Sequence, residues 1–163
     1  MVHKSRPGHR SLRALRQNAG MTIAAPPITD AEREALLRAA IDAMARAYAP
    51  YSNFQVGAAV LDEQGRIHPG CNVENAAYPQ GVCAEGGALS AMVLAGGRRA
   101  RAVLVVGRGE GLVTPCGGCR QKIREFAAPD TPVLIAGPQG VRATFSLDAL
   151  LPHSFGPEHL QKA

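Results

Sequence analysis

The sequence predicts an α/β domain, a sheet with helices layered on its faces, and three observations support that class. Residues 102–107 (AVLVVG) and 133–137 (VLIAG) are apolar runs too short for helices and read as fully buried strands. Segments of helical periodicity lie before and between them, an alternation that layers helices on a sheet. The chain of 163 residues is long enough to bury one core and too short for two.

The elements follow in order. After a breaker at residues 24–27 (AAPP), Thr29 and Glu32 form a capping box, each side chain satisfying an otherwise unpaired backbone N–H of the other. The helix that starts there repeats Leu37, Ile41, Met44 and Tyr48 at helical spacing, widened by Leu36 and Ala40, and Pro50 is expected to stop it. Residues 54–61 (FQVGAAVL) read as a strand, residues 62–65 as a turn, and residues 66–73 as the returning strand of a hairpin. Helices are expected over about 83–95, closed by Gly96-Gly97 as left-handed caps, and over about 116–128, closed before Pro129. Strand 102–107 separates them and strand 133–137 follows. A further strand and a short helix at residues 147–151 complete the chain.

Hydrophobic residues at 46% and charged residues at 19% are an ordinary globular balance, and no apolar run approaches the roughly 20 residues that span a bilayer. A soluble, cytoplasmic protein with no membrane partner is the expectation. The formal charge of +5 suggests nucleic acid until its location is considered. Lys4, Arg6, Arg10, Arg13 and Arg16 lie within residues 1–27, which hold no acidic residue. Residues 28–163 balance 13 basic against 13 acidic side chains. The body is formally neutral, so no phosphate-tracking surface is indicated and no nucleic-acid partner is expected. Residues 1–27 read as a disordered basic extension, or as sequence upstream of a start at Met21, in preference to a transit peptide or a nucleic-acid arm. Residues 28–163 then form a single domain. The basic start is followed by no apolar stretch of signal-peptide length, so the four cysteines point to metal ligation or reduced thiols over a disulfide framework.

Both internal helices open on cysteine: Cys83-Ala84-Glu85 starts one, and Pro115-Cys116-Gly117-Gly118-Cys119 starts the other. A helix N-terminus presents unpaired N–H groups and the positive end of the helix dipole, so a cysteine there loses its proton more readily and ligates metal better. Three thiolates from two helix ends can converge on one zinc ion and leave a fourth position open for water, the arrangement of a catalytic site. Glu85, two residues beyond a ligand and in the same first turn, is placed to work as a general acid/base on that water. A lone C-x-x-C also suits a redox pair or half of a structural zinc knuckle. The pair would lack a role for the third thiol, and the knuckle would need a fourth ligand. Cys71, the spare cysteine, reads as a small buried strand residue, and His68 and His153 stand outside any ligand spacing.

The chain has C-A-E followed by P-C-G-G-C, which resembles the zinc-deaminase signature H-x-E and P-C-x-x-C in its three-cysteine form. Residues 51–59 (YSNFQVGAA) resemble the Y-S-x-F-x-V-G-A-A segment of cytidine deaminases, residues 70–76 (GCNVENA) their N-V-E-N segment, and residues 150–155 (LLPHSF) their C-terminal L-L-P-x-x-F. The segments stand in the family's order and cover residues from about 29 to 160.

The resemblance implies a three-layer α/β/α fold around a mixed sheet of about five strands. It implies a Zn2+ cofactor on Cys83, Cys116 and Cys119, and hydrolytic deamination of free cytidine and deoxycytidine in pyrimidine salvage. Water would attack C4 of the base, with Glu85 shuttling protons to N3 and to the leaving amine. Asn72 and Glu74 would bind the ribose 3′-hydroxyl, Phe54 would pack on the nucleoside, and the backbone at Ala84 would help recognise the base. Phe155 is similar to the aromatic residue that closes a neighbouring subunit's site, so a homotetramer with shared sites is implied. Independently of the family, a carboxylate such as Glu74 beside the sugar accepts hydroxyl hydrogen bonds and repels phosphate, which favours nucleosides. The absence of Trp leaves little for stacking a single strand.

Three readings stay open beside this one: a specialised deaminase of the blasticidin type, a deaminase fold without activity, and a noncatalytic zinc-binding nucleic-acid module that would use the basic tail. One position departs from the family pattern. Compact three-cysteine deaminases often carry arginine after the glutamate, and here Gly86 stands in its place. Three thiolates leave the metal site net negative, so another cation is required, and Arg120, directly after the last ligand, is the expected one.

Overall fold

The computed structural model describes residues 27–160, so the reading of the basic extension lies, Pro27 apart, outside the described residues. Five strands form one mixed sheet in the order β2-β1-β3-β4-β5. They are β1 (Val56–Asp62), β2 (Ile67–Cys71), β3 (Ala100–Gly107), β4 (Pro132–Gly137) and β5 (Gly140–Ser146). The hairpin β1–β2 is antiparallel, as are β1 with β3 and β4 with β5, while β3 and β4 run parallel. The parallel pair needs a crossover, and α3 (Gly117–Phe126) supplies it.

Side-chain alternation in the strands divides the core in two. Ala58 and Val60 of β1, Val103 and Val105 of β3, and Val133 and Ile135 of β4 face α2 (Ala84–Leu94), α3 and α4 (Leu147–Leu150). Their neighbours Ala59, Leu61, Leu104, Val106, Leu134 and Ala136 face α1 (Asp30–Met44). Central strands buried on both faces read as continuous apolar runs, which is why β1, β3 and β4 were visible in sequence. The three-layer α/β/α expectation holds.

Two glycines set how closely the helices approach. A Cβ at Gly57 would stand 2.0 Å from the Ala40 carbonyl oxygen of α1, and one at Gly70 would stand 2.3 Å from the Ala88 nitrogen of α2. The backbone of α2 therefore rests directly on β2 and holds its first turn against the sheet.

Thr29 and Glu32 make the expected capping box. The helix they start ends at Met44, six residues before Pro50, and its buried line is Leu36–Ala40–Met44 with Leu37 and Ile41 at the flank. Tyr48 leaves the stripe because its backbone is claimed elsewhere. Its N–H donates to the Asn72 carbonyl at 3.0 Å, and its own carbonyl accepts from the Glu74 N–H at 2.8 Å. That short pairing carries the segment 72–74 alongside residue 48 and exposes the tyrosine ring.

Candidate active site

Cys83 is the N-cap of α2 and Cys116 the N-cap of α3, both with extended backbone (φ −73°, ψ 153° and φ −65°, ψ 165°). Neither sulfur is spent on capping its helix. Cys119 follows within the first turn of α3 and is buried. The three Sγ atoms lie within 4.8 Å of one another, and those of Cys83 and Cys116 are 3.9 Å apart. A tetrahedral ion with metal–sulfur bonds of about 2.3 Å demands sulfur separations of about 3.8 Å, so the group fits zinc with modest contraction.

The helix starts do not by themselves ease ionisation as the sequence led us to expect, since two of the three thiols are shifted upward. Burial pushes the Cys119 thiol far above its ordinary range, and the charge of Glu85 and then that of Cys83 push it further. The Cys83 thiol is raised as well, again chiefly by burial. At Cys116 burial is opposed by hydrogen bonds from the Cys119 backbone and from the neighbouring thiols, and the net direction is downward. Three adjacent thiolates are thus unfavourable by themselves, and a bound dication is what would stabilise them.

Glu85 sits beside this group, 4% exposed, in the first turn of α2. With Asn72, Ala84, Thr114 and Cys116 it lines a cavity of about 170 Å³. Among the described residues its carboxylate makes no hydrogen bond, and it lines the cavity. Asn72 and Cys83 also line a second cavity of about 490 Å³, together with Ser52, Glu74, Tyr78 and Val82.

Glu74 and Asn72 are fixed by the loop that precedes β1. One carboxylate oxygen of Glu74 accepts from the N–H groups of Tyr51 (2.8 Å) and Ser52 (3.2 Å), and the other accepts from the Ser52 hydroxyl. The Ser52 hydroxyl, ahead of the opposing effect of desolvation, and these N–H groups hold the Glu74 carboxyl below its usual range, so it is ionised. Asn72 Oδ1 accepts from the Val56 N–H at 2.8 Å, and its Nδ2 donates to the Phe54 carbonyl at 2.9 Å. The left-handed turn at Asn53 (φ 54°) brings Ser52 back onto Glu74. Ser52 was legible only as part of a motif, since its partner lies 22 residues away.

The structure gathers Cys83, Cys116, Glu85, Ala84, Asn72 and Glu74 around two cavities that share Asn72 and Cys83, with the buried Cys119 completing the sulfur group behind them. Phe54 and Phe155 are not brought in. Phe54 is 44% exposed, and Phe155 is 58% exposed with its ring stacked on His159 at 5.1 Å. Its carbonyl accepts from the Gln121 amide at 2.9 Å.

Cys71, His68 and Arg120 line neither cavity. Cys71 is half-buried instead of buried, and it stands outside the three-sulfur group. His68 is a core residue bonded to Asp62 at 2.8 Å. The Arg120 guanidinium donates to the Pro115 carbonyl (2.8 Å), the Leu150 carbonyl (2.7 Å) and the Thr114 hydroxyl (3.2 Å), all neutral acceptors that leave its positive charge in place. It props the segment that presents Cys116 and ties it to the end of α4.

Comparisons with known proteins agree with this site. Residues 30–135 match the family model for the cytidine and deoxycytidylate deaminase zinc-binding region. A cytidine deaminase of Sporosarcina psychrophila is 43% identical over 130 residues, covering 80% of this chain and 96% of the relative. One from Halalkalibacterium halodurans is 40% identical, covering 79% and 98%. The crystal structure of cytidine deaminase from Burkholderia pseudomallei superposes with a TM-score of 0.71 at 44% identity, covering 78% of this chain and all of the other. With a three-cysteine group at two helix starts, a buried glutamate beside it, and relatives of this similarity over nearly their whole length, the chain belongs to the cytidine and deoxycytidylate deaminase family.

Proposed function

We propose that this chain hydrolyses free cytidine and deoxycytidine to uridine and deoxyuridine, releasing one ammonia for each water consumed, and that residues 28–163 act as one catalytic unit in cytoplasmic pyrimidine salvage. The observation that carries the reading is the pairing of three sulfurs within 4.8 Å with a buried carboxylate that no protein group satisfies.

Zinc on Cys83, Cys116 and Cys119 would supply the positive charge that acidifies a water at neutral pH. The protein's own residues do the rest. Glu85 takes the proton from the attacking water, gives it to N3 of the pyrimidine, and then carries a proton to the departing amine. The backbone at Ala84 borders the same cavity and orients the base. A carboxylate offers about four lone-pair positions. Three protein donors occupy those of Glu74, leaving room for one sugar hydroxyl beside Asn72. Its firmly ionised state repels phosphate, so nucleosides are preferred over deoxycytidylate.

Assembly is part of the proposal. Glu85 is the one charged residue in α2, whose other side chains are small or apolar on every face, a composition suited to a helix buried all round. Yet Leu94 is 89% exposed, and Leu89, Val93 and Phe126 line an open groove of about 550 Å³ between α2 and α3. A second copy covering this face would bury it. A homotetramer also gives the exposed Phe155 and Phe54 rings a neighbour's nucleoside or its own to pack against. No helix among the described residues is long and apolar enough to cross a membrane.

The test is the fall in ultraviolet absorbance as cytosine becomes uracil, followed with cytidine, deoxycytidine and deoxycytidylate. Turnover of both nucleosides well above the nucleotide is expected. A preference for deoxycytidylate would overturn the substrate reading.

A further inference from the structure

Residues 108–116 form the loop that carries the chain from the end of β3 to the start of α3, and two of them, Val113 and Thr114, line the cavity of about 170 Å³ with Glu85. Val113 is seated on the strand: a Cβ at Gly107 would stand 2.7 Å from its side chain. Thr114 and Pro115 are held from the other end by Arg120. The stretch between is held differently. Among the described residues, the hydrogen bonds that tie residues 109–112 to another element come from Arg142 of β5 alone, whose guanidinium donates to the Gly109 carbonyl at 2.6 Å and to the Gly111 carbonyl at 3.2 Å.

Two features of the β4–β5 hairpin bring the guanidinium there. Ile135 pairs with Ala143 and Ala136 with Val141, so Arg142 is the extra residue of a β-bulge. A bulge re-aims a side chain that a regular strand would send to one fixed face. Gly137 then leaves the path clear, since a Cβ there would stand 2.1 Å from Nη2 and 2.3 Å from Cζ of Arg142. Gln139 Oε1 lies 3.5 Å from the same Nη2 and braces it. Arg142 is exposed as a residue and its acceptors are neutral, so the grip is of ordinary hydrogen-bond strength.

On the deaminase reading given above, we propose that Arg142 is a positioning residue for the nucleoside pocket: from the bulge in β5 it holds the β3–α3 loop by two carbonyls and so keeps Val113 in the wall of the cavity that Glu85 lines. Gly137 and Arg142 work as a pair, one giving the room and the other the donors. Because Arg120 secures Thr114 and Pro115 separately, loss of Arg142 loosens the Val113 end of the wall and spares Cys116.

The experiment compares wild type, Arg142→Met, Gly137→Ala and the double variant as full chains. Hydrogen exchange of the N–H groups in residues 108–114, the dissociation constant of uridine, and KM and kcat for cytidine are measured, with zinc content and melting temperature alongside. Both single variants should exchange faster in that segment and bind uridine roughly three- to tenfold more weakly, the worth of about one net hydrogen bond. KM should rise by a similar factor, with kcat and zinc content close to wild type. The double variant should be no worse than Arg142→Met, since both changes remove the same contact. Unchanged exchange and binding in Arg142→Met would overturn the proposal. So would a lowered melting temperature with unchanged KM, or penalties that add in the double variant, because either shows a packing role. A wild type that binds uridine without deaminating cytidine would end the functional reading and leave the exchange and binding series to decide the role of Arg142; a wild type that binds no uridine would end both.

Discussion

Under the proposed function, Glu74 and Glu85, which line the two cavities of one site, would do different work. Glu74 is surrounded by donors and held ionised, which suits binding, whereas Glu85 is buried without donors, which suits proton transfer. Glu74→Gln should raise KM several-fold with a smaller effect on kcat, because the loss falls on sugar binding; an effect confined to kcat in steady-state kinetics would contradict that division of labour. Away from the site, Asp62 is fully buried where β1 meets the turn and accepts from Arg66, His68 and the N–H groups of Gln64 and Arg66. Desolvation opposes its ionisation, but these donors prevail and hold its carboxyl at about 2 against an ordinary 3.8. A depressed folded-state value contributes stability that is complete above the unfolded value and disappears as pH falls from about 3.8 toward 2. That difference corresponds to about 2 kcal/mol. Chemical denaturation across this range should lose about that much in wild type and much less in Asp62→Asn, which should also be less stable at neutral pH.

Among the elements, α2 and α3 matter most because their first turns are the site. Their starts were legible in the sequence, since a cysteine ahead of an apolar or amphipathic run marks both a helix end and a ligand. What was not legible depends on contacts between distant segments. The end of α1 is set by the backbone pairing of Tyr48 with residues 72–74. The bond from Arg120 to the Leu150 carbonyl reaches 30 residues along the chain. Phe54 and Phe155 were chosen by resemblance alone, and in the single chain neither lines a cavity of the site. Gly70 supplies a test at this scale. Its replacement by Ala puts a Cβ 2.3 Å from the Ala88 nitrogen and 2.4 Å from the Ala84 carbonyl, with backbone on both sides. Such overpacking should cost about 1–3 kcal/mol and displace the first turn of α2, so Gly70→Ala should lower both melting temperature and zinc affinity. Unchanged values for both would show that α2 can slide without consequence.

For the molecule as a whole, the proposal of self-association in place of nucleic-acid binding rests on the neutral body and the apolar α2–α3 face. Leu94→Glu should leave the fold intact and shift the protein to smaller species in light scattering; an undisturbed assembly would place the interface elsewhere. The same view makes the zinc site the centre of the account, since both helices, the β2 contact and the loop at residues 51–54 converge there. The most direct measurement is zinc content and cytidine turnover of wild type and Glu85→Ala prepared side by side. Near one zinc per chain is expected in both, with turnover in the variant reduced by roughly two to four orders of magnitude, the contribution of a general acid/base. A Glu85→Ala protein that still deaminates cytidine at the wild-type rate, or a wild type that binds no zinc, would contradict the account at its core.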